Sequence, residues 1–153
     1  MKFQPLTTVF LAMILLLALT QGNAQSCYLT EGNNINLYEV NISSGALIST
    51  TTISVSSGNI SEVYGMARNP VNDQVYVLYD AGSGIRGFGT INLDTGFITV
   101  INGNINNYRY QTMTFDSNGN CYALTASFGD SPWLLRQINP GTGVCFQLSD
   151  LED

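Results

Sequence analysis

One turn recurs three times along this 153-residue chain, roughly every 46 to 51 residues. It reads Val40-Asn41-Ile42-Ser43-Ser44-Gly45, then Ile91-Asn92-Leu93-Asp94-Thr95-Gly96, then Ile138-Asn139-Pro140-Gly141-Thr142-Gly143. A second element keeps step with it. Met66-Ala67-Arg68-Asn69-Pro70 through Val75-Tyr76-Val77-Leu78 matches Met113-Thr114-Phe115-Asp116-Ser117 through Cys121-Tyr122-Ala123-Leu124, and Cys27-Tyr28-Leu29-Thr30 repeats part of it. A period of this length means an array of supersecondary units, each too small to bury its own apolar surface alone.

The segments between turns are short, β-branched and aromatic, and bounded by Gly, Asn, Asp and Pro. They predict four antiparallel strands per unit. Strand A covers 64–68 and 111–115; B covers 27–30, 75–79 and 121–125. Strand C covers 36–41, 87–92 and 134–139; D covers 46–53, 97–101 and 144–148. Gly45, Gly96 and Gly143 sit where a hairpin needs positive φ. In Val75-Tyr76-Val77-Leu78 apolar residues point both ways, so both faces of the sheet must be covered. Small four-stranded sheets packed face to face meet that demand, and the expected class is all-β and β-propeller-like. The strands number eleven, just under three blades, so an incomplete or self-assembling propeller is expected.

The strand, the VN-x-x-(T/S)-G turn and the GMA-x-NP-x-x-x-x-VY or FDSNGNCYAL element resemble secreted β-propeller repeat proteins of the NHL, SMP-30 and YVTN types, and similar extracellular domains. The resemblance covers residues 27–148. It implies fold more than activity, because its motifs are turn chemistry. Enzymes of that group depend on metal ligands or histidines that this chain does not show in matching positions.

Residues 1–24 read as a signal peptide: Lys2, an apolar run from Val9 to Leu19, and Gly22-Asn23-Ala24 at the cleavage position. Eleven apolar residues fall short of the about 20 needed to span a bilayer. The expected mature domain is 25–153, secreted or periplasmic. Its cations are Arg68, Arg86, Arg109 and Arg136 against eleven acidic residues. That balance disfavours nucleic acid and anionic membrane surfaces as partners. The chain has no His, so the commonest general base and metal ligand is missing.

No cofactor and no metal site is expected. Asp116-Ser117-Asn118-Gly119-Asn120 lacks the distal Glu of a calcium loop and reads as a turn. Cys27 and Cys121 occupy the place of Val75, and Cys145 that of Leu47 and Ile98, so buried free thiols are expected. Strands B and D of one blade lie about 9.5 Å apart, beyond the reach of a disulfide. A Cys27 bridge to the last unit is the alternative. Asn59 and Asn41 head glycosylation sequons, with Asn59 in the longer loop.

Successive strands reverse direction, so D–A and B–C loops gather at one end. They bring Glu62, Tyr64, Asp80, Arg86, Tyr108, Arg109, Tyr110, Asp130 and Trp133 into a candidate ligand-binding face, with aromatic residues and Arg as anchors. No catalytic residue stands out. The leading expectation is a secreted non-catalytic protein binding an extracellular ligand or protein through this face. The alternatives are a fragment or structural subunit of a larger propeller assembly, formed with copies of itself, and a small extracellular hydrolase using paired carboxylates such as Glu62 with Asp130.

Overall fold

A computed structural model describes residues 26–31, 35–105, 108–126 and 133–150. The expected signal segment lies outside the described residues. Three antiparallel sheets follow one another along the chain. The first contains β1 (Ser26–Thr30), β2 (Asn36–Asn41) and β3 (Leu47–Thr52) in that order. The second adds β5 (Glu62–Arg68), β6 (Val75–Asp80), β7 (Arg86–Ile91) and β8 (Phe97–Asn102). The third adds β9 (Arg109–Phe115), β10 (Cys121–Ala126), β11 (Trp133–Ile138) and β12 (Cys145–Asp150). This is an incomplete, propeller-like all-β arrangement of just under three blades.

One strand escapes the sequence pattern. Residues β4 (Ser54–Val55) pair in parallel with β8, adding an outer fifth strand to the second blade. Tertiary docking creates it: the Ser54 amide donates to the Gly96 carbonyl at 3.0 Å. Strands β5 and β9 also begin two residues earlier than predicted, because each carries a bulge near its start.

The three repeated turns are built alike. In each, the Asn side-chain oxygen accepts the amides two and three residues on: Ser43 and Ser44 on Asn41, Asp94 and Thr95 on Asn92, Gly141 and Thr142 on Asn139. The hydroxyls of Ser44, Thr95 and Thr142 each accept the amide two residues later at 3.3 Å. Gly45, Gly96 and Gly143 sit at φ 69°, 67° and 67°, where a side chain is strained. Asn41 therefore serves its turn, while Asn59 is exposed outside any strand. The Asp116 carboxylate likewise closes the β9–β10 turn by accepting the Asn118 and Asn120 amides.

Blades adhere through two apolar layers. Leu37 and Ile53 of the first pack with Val63, Val77, Tyr79, Ile91 and Ile98 of the second. Tyr76, Leu78, Phe88 and Ile105 of the second pack with Tyr110, Met113, Cys121, Ala123 and Ile138 of the third. Strand β6 thus buries Tyr76 and Leu78 on one side and Val77 and Tyr79 on the other. Each such side chain contributes about 1.5–3 kcal/mol on burial. Strands β5 and β9 lie side by side, and a Cβ on Gly65 would come within 3.1 Å of the Met113 amide.

All three cysteines are free; Cys121 is buried as expected, whereas Cys27 and Cys145 are only partly buried. Burial, with a smaller contribution from Cys145, pushes the Cys121 thiol up to about 12. The unfolded thiol ionises near 9.0. Folding therefore favours the protonated form, and its contribution is fully present below that value and lost as pH rises towards about 12. Cys121→Val should keep the packing and flatten the fall in melting temperature between pH 9 and 11, read by circular dichroism.

The turn glycines give a second test. A Cβ on Gly96 would lie 2.5 Å from the Thr52 carbonyl oxygen, and one on Gly143 2.5 Å from Asn102 Cβ; at Gly45 nothing lies within 4 Å. Urea unfolding should show Gly45→Ala costing about 1 kcal/mol from positive φ alone, and Gly96→Ala about 3 kcal/mol from φ plus overpacking.

Candidate functional site

A polar cleft of 440 Å³ opens between the second and third blades, lined by Glu62, Val63, Tyr64, Asp80, Arg86, Arg109, Tyr110 and Gln111. These residues come from the starts of β5, β7 and β9 and the end of β6, the end at which D–A and B–C loops meet. Antiparallel register sets Asp80 opposite both Glu62 and Arg86. The intervening hairpin is closed by the Ala81 amide on the Ile85 carbonyl at 2.9 Å and by the Gly82 amide on Asp80 Oδ1 at 2.6 Å.

Asp80 is the hub. Its Oδ2 accepts both the Tyr64 hydroxyl, at 2.9 Å, and Arg86 Nη1. The Arg86 guanidinium also lies over the Tyr64 ring, 4.8 Å from its centroid. Burial, reinforced by the bond to Asp80, raises the Tyr64 phenol well above its usual range, so it stays a donor. Arg86 is 8% exposed, and its Nε is buried with no hydrogen-bond partner. A buried donor left unmatched costs about 1–3 kcal/mol.

Bulges shape both walls. Tyr64 is the extra residue between the Val63–Tyr79 and Gly65–Leu78 pairs. Gln111 is the extra residue between the Tyr110–Thr125 and Thr112–Leu124 pairs. Bulges beside sites re-aim a side chain, and these two stand at equivalent positions of successive blades.

The repeat itself marks the cleft. Aligned on Met66 and Met113, Glu62 corresponds to Arg109 and Tyr64 to Gln111; aligned on Val75 and Cys121, Asp80 corresponds to Ala126. Turn and core positions keep their chemistry between blades, whereas these positions change it. Gln111 was missed from sequence, and this comparison of A strands is the signal that finds it.

Six of the sequence-predicted residues, Glu62, Tyr64, Asp80, Arg86, Arg109 and Tyr110, share this cleft. Tyr110 is 1% exposed, with its hydroxyl 3.7 Å from Cys145 Sγ, so it forms the floor. Tyr108 lies instead beneath Arg136, whose guanidinium is 3.7 Å from the ring centroid. Arg136 Nε donates to Thr125 Oγ1 at 3.1 Å. Trp133 opens β11 opposite Ala126 and does not line the cleft. Asp130 lies outside the described residues.

A larger hollow of 630 Å³ opens among residues of the first and second blades, on the turn side, around Arg68, Asp73, Asn92 and Asp94. Its ion pair, Arg68 to Asp73 at 2.7 Å, is solvent-exposed, and among the described residues no buried polar side-chain atom there lacks a partner. The smaller cleft is the better candidate. No group of three or more His, Cys, Asp or Glu among the described residues could hold a metal ion.

No family model matches the chain, and no curated protein matches it. Among solved structures, a candidate 6-phosphogluconolactonase from Bacteroides fragilis matches at 15% identity and TM-score 0.48, over 81% of this chain and 35% of its own. One from Bacteroides uniformis matches at 16% identity and TM-score 0.44, over 81% and 36%. The chain thus spans about a third of their length. Both neighbours carry the name of an enzyme, which stands against the expectation of a non-catalytic binding protein and does not touch the expectation of secretion. The non-catalytic expectation rested on the missing His and on the lack of a recognisable nucleophile or carboxylate pair. The likeness brings no residue, substrate or step to this chain.

The two ion pairs differ in environment, and mutation should separate them. Arg86→Ala leaves the largely enclosed Asp80 carboxylate without its cation and should cost about 2–3 kcal/mol in urea unfolding. Arg68→Ala, at the exposed pair, should cost under about 1 kcal/mol.

Proposed function

We propose that this chain is a hydrolytic unit of the secreted propeller-repeat class, exported by residues 1–24. The cleft between its second and third blades cleaves a small ester or lactone that carries an acidic group. The observation that supports it is one polar cleft lined by the guanidinium residues Arg86 and Arg109 together with the carboxylate residue Glu62. The Arg86 and Arg109 guanidinium groups bind substrate oxygens and stabilise the negative charge that forms on the carbonyl oxygen. Glu62 takes a proton from water as its oxygen adds to the carbonyl carbon. It returns that proton to the departing alkoxide as the ester bond breaks. Asp80 and Tyr64 hold the Arg86 guanidinium in place and touch no reacting atom. The 6-phosphogluconolactonase name belongs to the neighbours and fixes no substrate here.

The test is a panel of carboxylated and phosphorylated esters and lactones offered to the purified chain. Hydrolysis of one or more is expected, with Glu62→Gln lowering kcat/KM at least about a hundredfold and leaving the melting temperature unchanged. Failure to hydrolyse any of them, or full activity in Glu62→Gln, would overturn the proposal.

A further inference from the structure

Every blade has a backward and a forward apolar face, and the repeat register identifies the residues of each. On the backward face, Leu29, Val77 and Ala123 are equivalent positions of strand B, and Leu47, Ile98 and Cys145 of strand D. Val77 and Ala123 are 0% and 2% exposed, because each meets the blade before it. Leu29 is 51% exposed. Ile98 is 0% exposed against the first blade, whereas Leu47 is 59% exposed.

The forward face shows the converse. Leu37 and Phe88 are buried against the following blade, while their equivalent Leu135 in the third blade is only half-buried. Phe146 and Leu148 of β12 are exposed as well. The turn glycines repeat the pattern, since the Cβ positions of Gly96 and Gly143 abut the preceding blade and that of Gly45 meets nothing. The structure therefore contains two complete copies of one interface and, separately, its two unmatched halves.

We propose that the forward face of the third blade in one copy packs against the backward face of the first blade in a second copy. The same contact made twice closes a two-copy ring. The contact is heterologous, joining unlike surfaces, and such contacts end in a ring when the rotation closes. Two copies bring six blades together, within the four to eight of closed propellers. The interface already holding the first blade to the second supplies the geometry. Its apolar character suits an acidic chain, whose copies repel one another except where charge is absent. The proposal is independent of the hydrolytic reading, because none of these residues lines the cleft.

Sedimentation and light scattering on the purified full chain test it. The expected mass is twice that of one mature copy at micromolar concentration. Leu47→Asp, at an exposed position, should keep the circular dichroism spectrum and melting behaviour while raising the dissociation constant at least about thirtyfold. Leu29→Asp should do the same from the same face. Val71→Asp, an equally apolar and exposed change in the β5–β6 turn, should leave association unaltered. A chain that remains a monomer overturns the proposal, and so does a dimer indifferent to both Leu29→Asp and Leu47→Asp.

Discussion

A strand that is apolar on both sides must be covered on both sides, and this constraint organises the molecule. Strand β6 buries four consecutive residues, Tyr76 to Tyr79, alternately against the first and the third blade. No single sheet can provide that cover, so the blades exist only as a stack. Stacking also creates the cleft. Its walls are the first residues of two neighbouring inner strands, which the apolar layers press side by side.

Charge enters this scaffold sparingly. Arg86 and Arg136 are both buried, and each is held by a hydroxyl or carboxylate and by an aromatic face. A guanidinium suits such places because it is planar, weakly hydrated and able to stack. The two differ in one respect. Arg136 gives its Nε to Thr125, whereas Arg86 keeps its Nε unmatched.

The repeated turns and two-sided strands made the blade order legible in the sequence. Turn chemistry is local, so Asn92-Leu93-Asp94-Thr95-Gly96 announces its own geometry. What lay hidden depended on contacts between units. A two-residue parallel strand such as β4 has no periodicity to detect. The bulges that turn Tyr64 and Gln111 into the cleft appear only when pairs are counted across strands. Loop membership gathered six residues that share the cleft, and also Trp133 and Tyr108, which do not line it. Loop membership fixes the end of a blade, and side-chain direction decides the rest.

The threefold turn has a kinetic consequence. Within each turn one Asn carboxamide and one hydroxyl accept the turn's own amides, and one glycine supplies the positive φ. A hairpin of that kind forms in about 1–10 microseconds from contacts close in sequence. Assembly of one blade upon another joins residues far apart along the chain and is slower. The order of events is thus written into the chain: hairpins first, at three independent places, and the stack afterwards. Substitutions in the Asn92 turn should accordingly slow folding, while those at Ile98 or Phe88 should chiefly hasten unfolding.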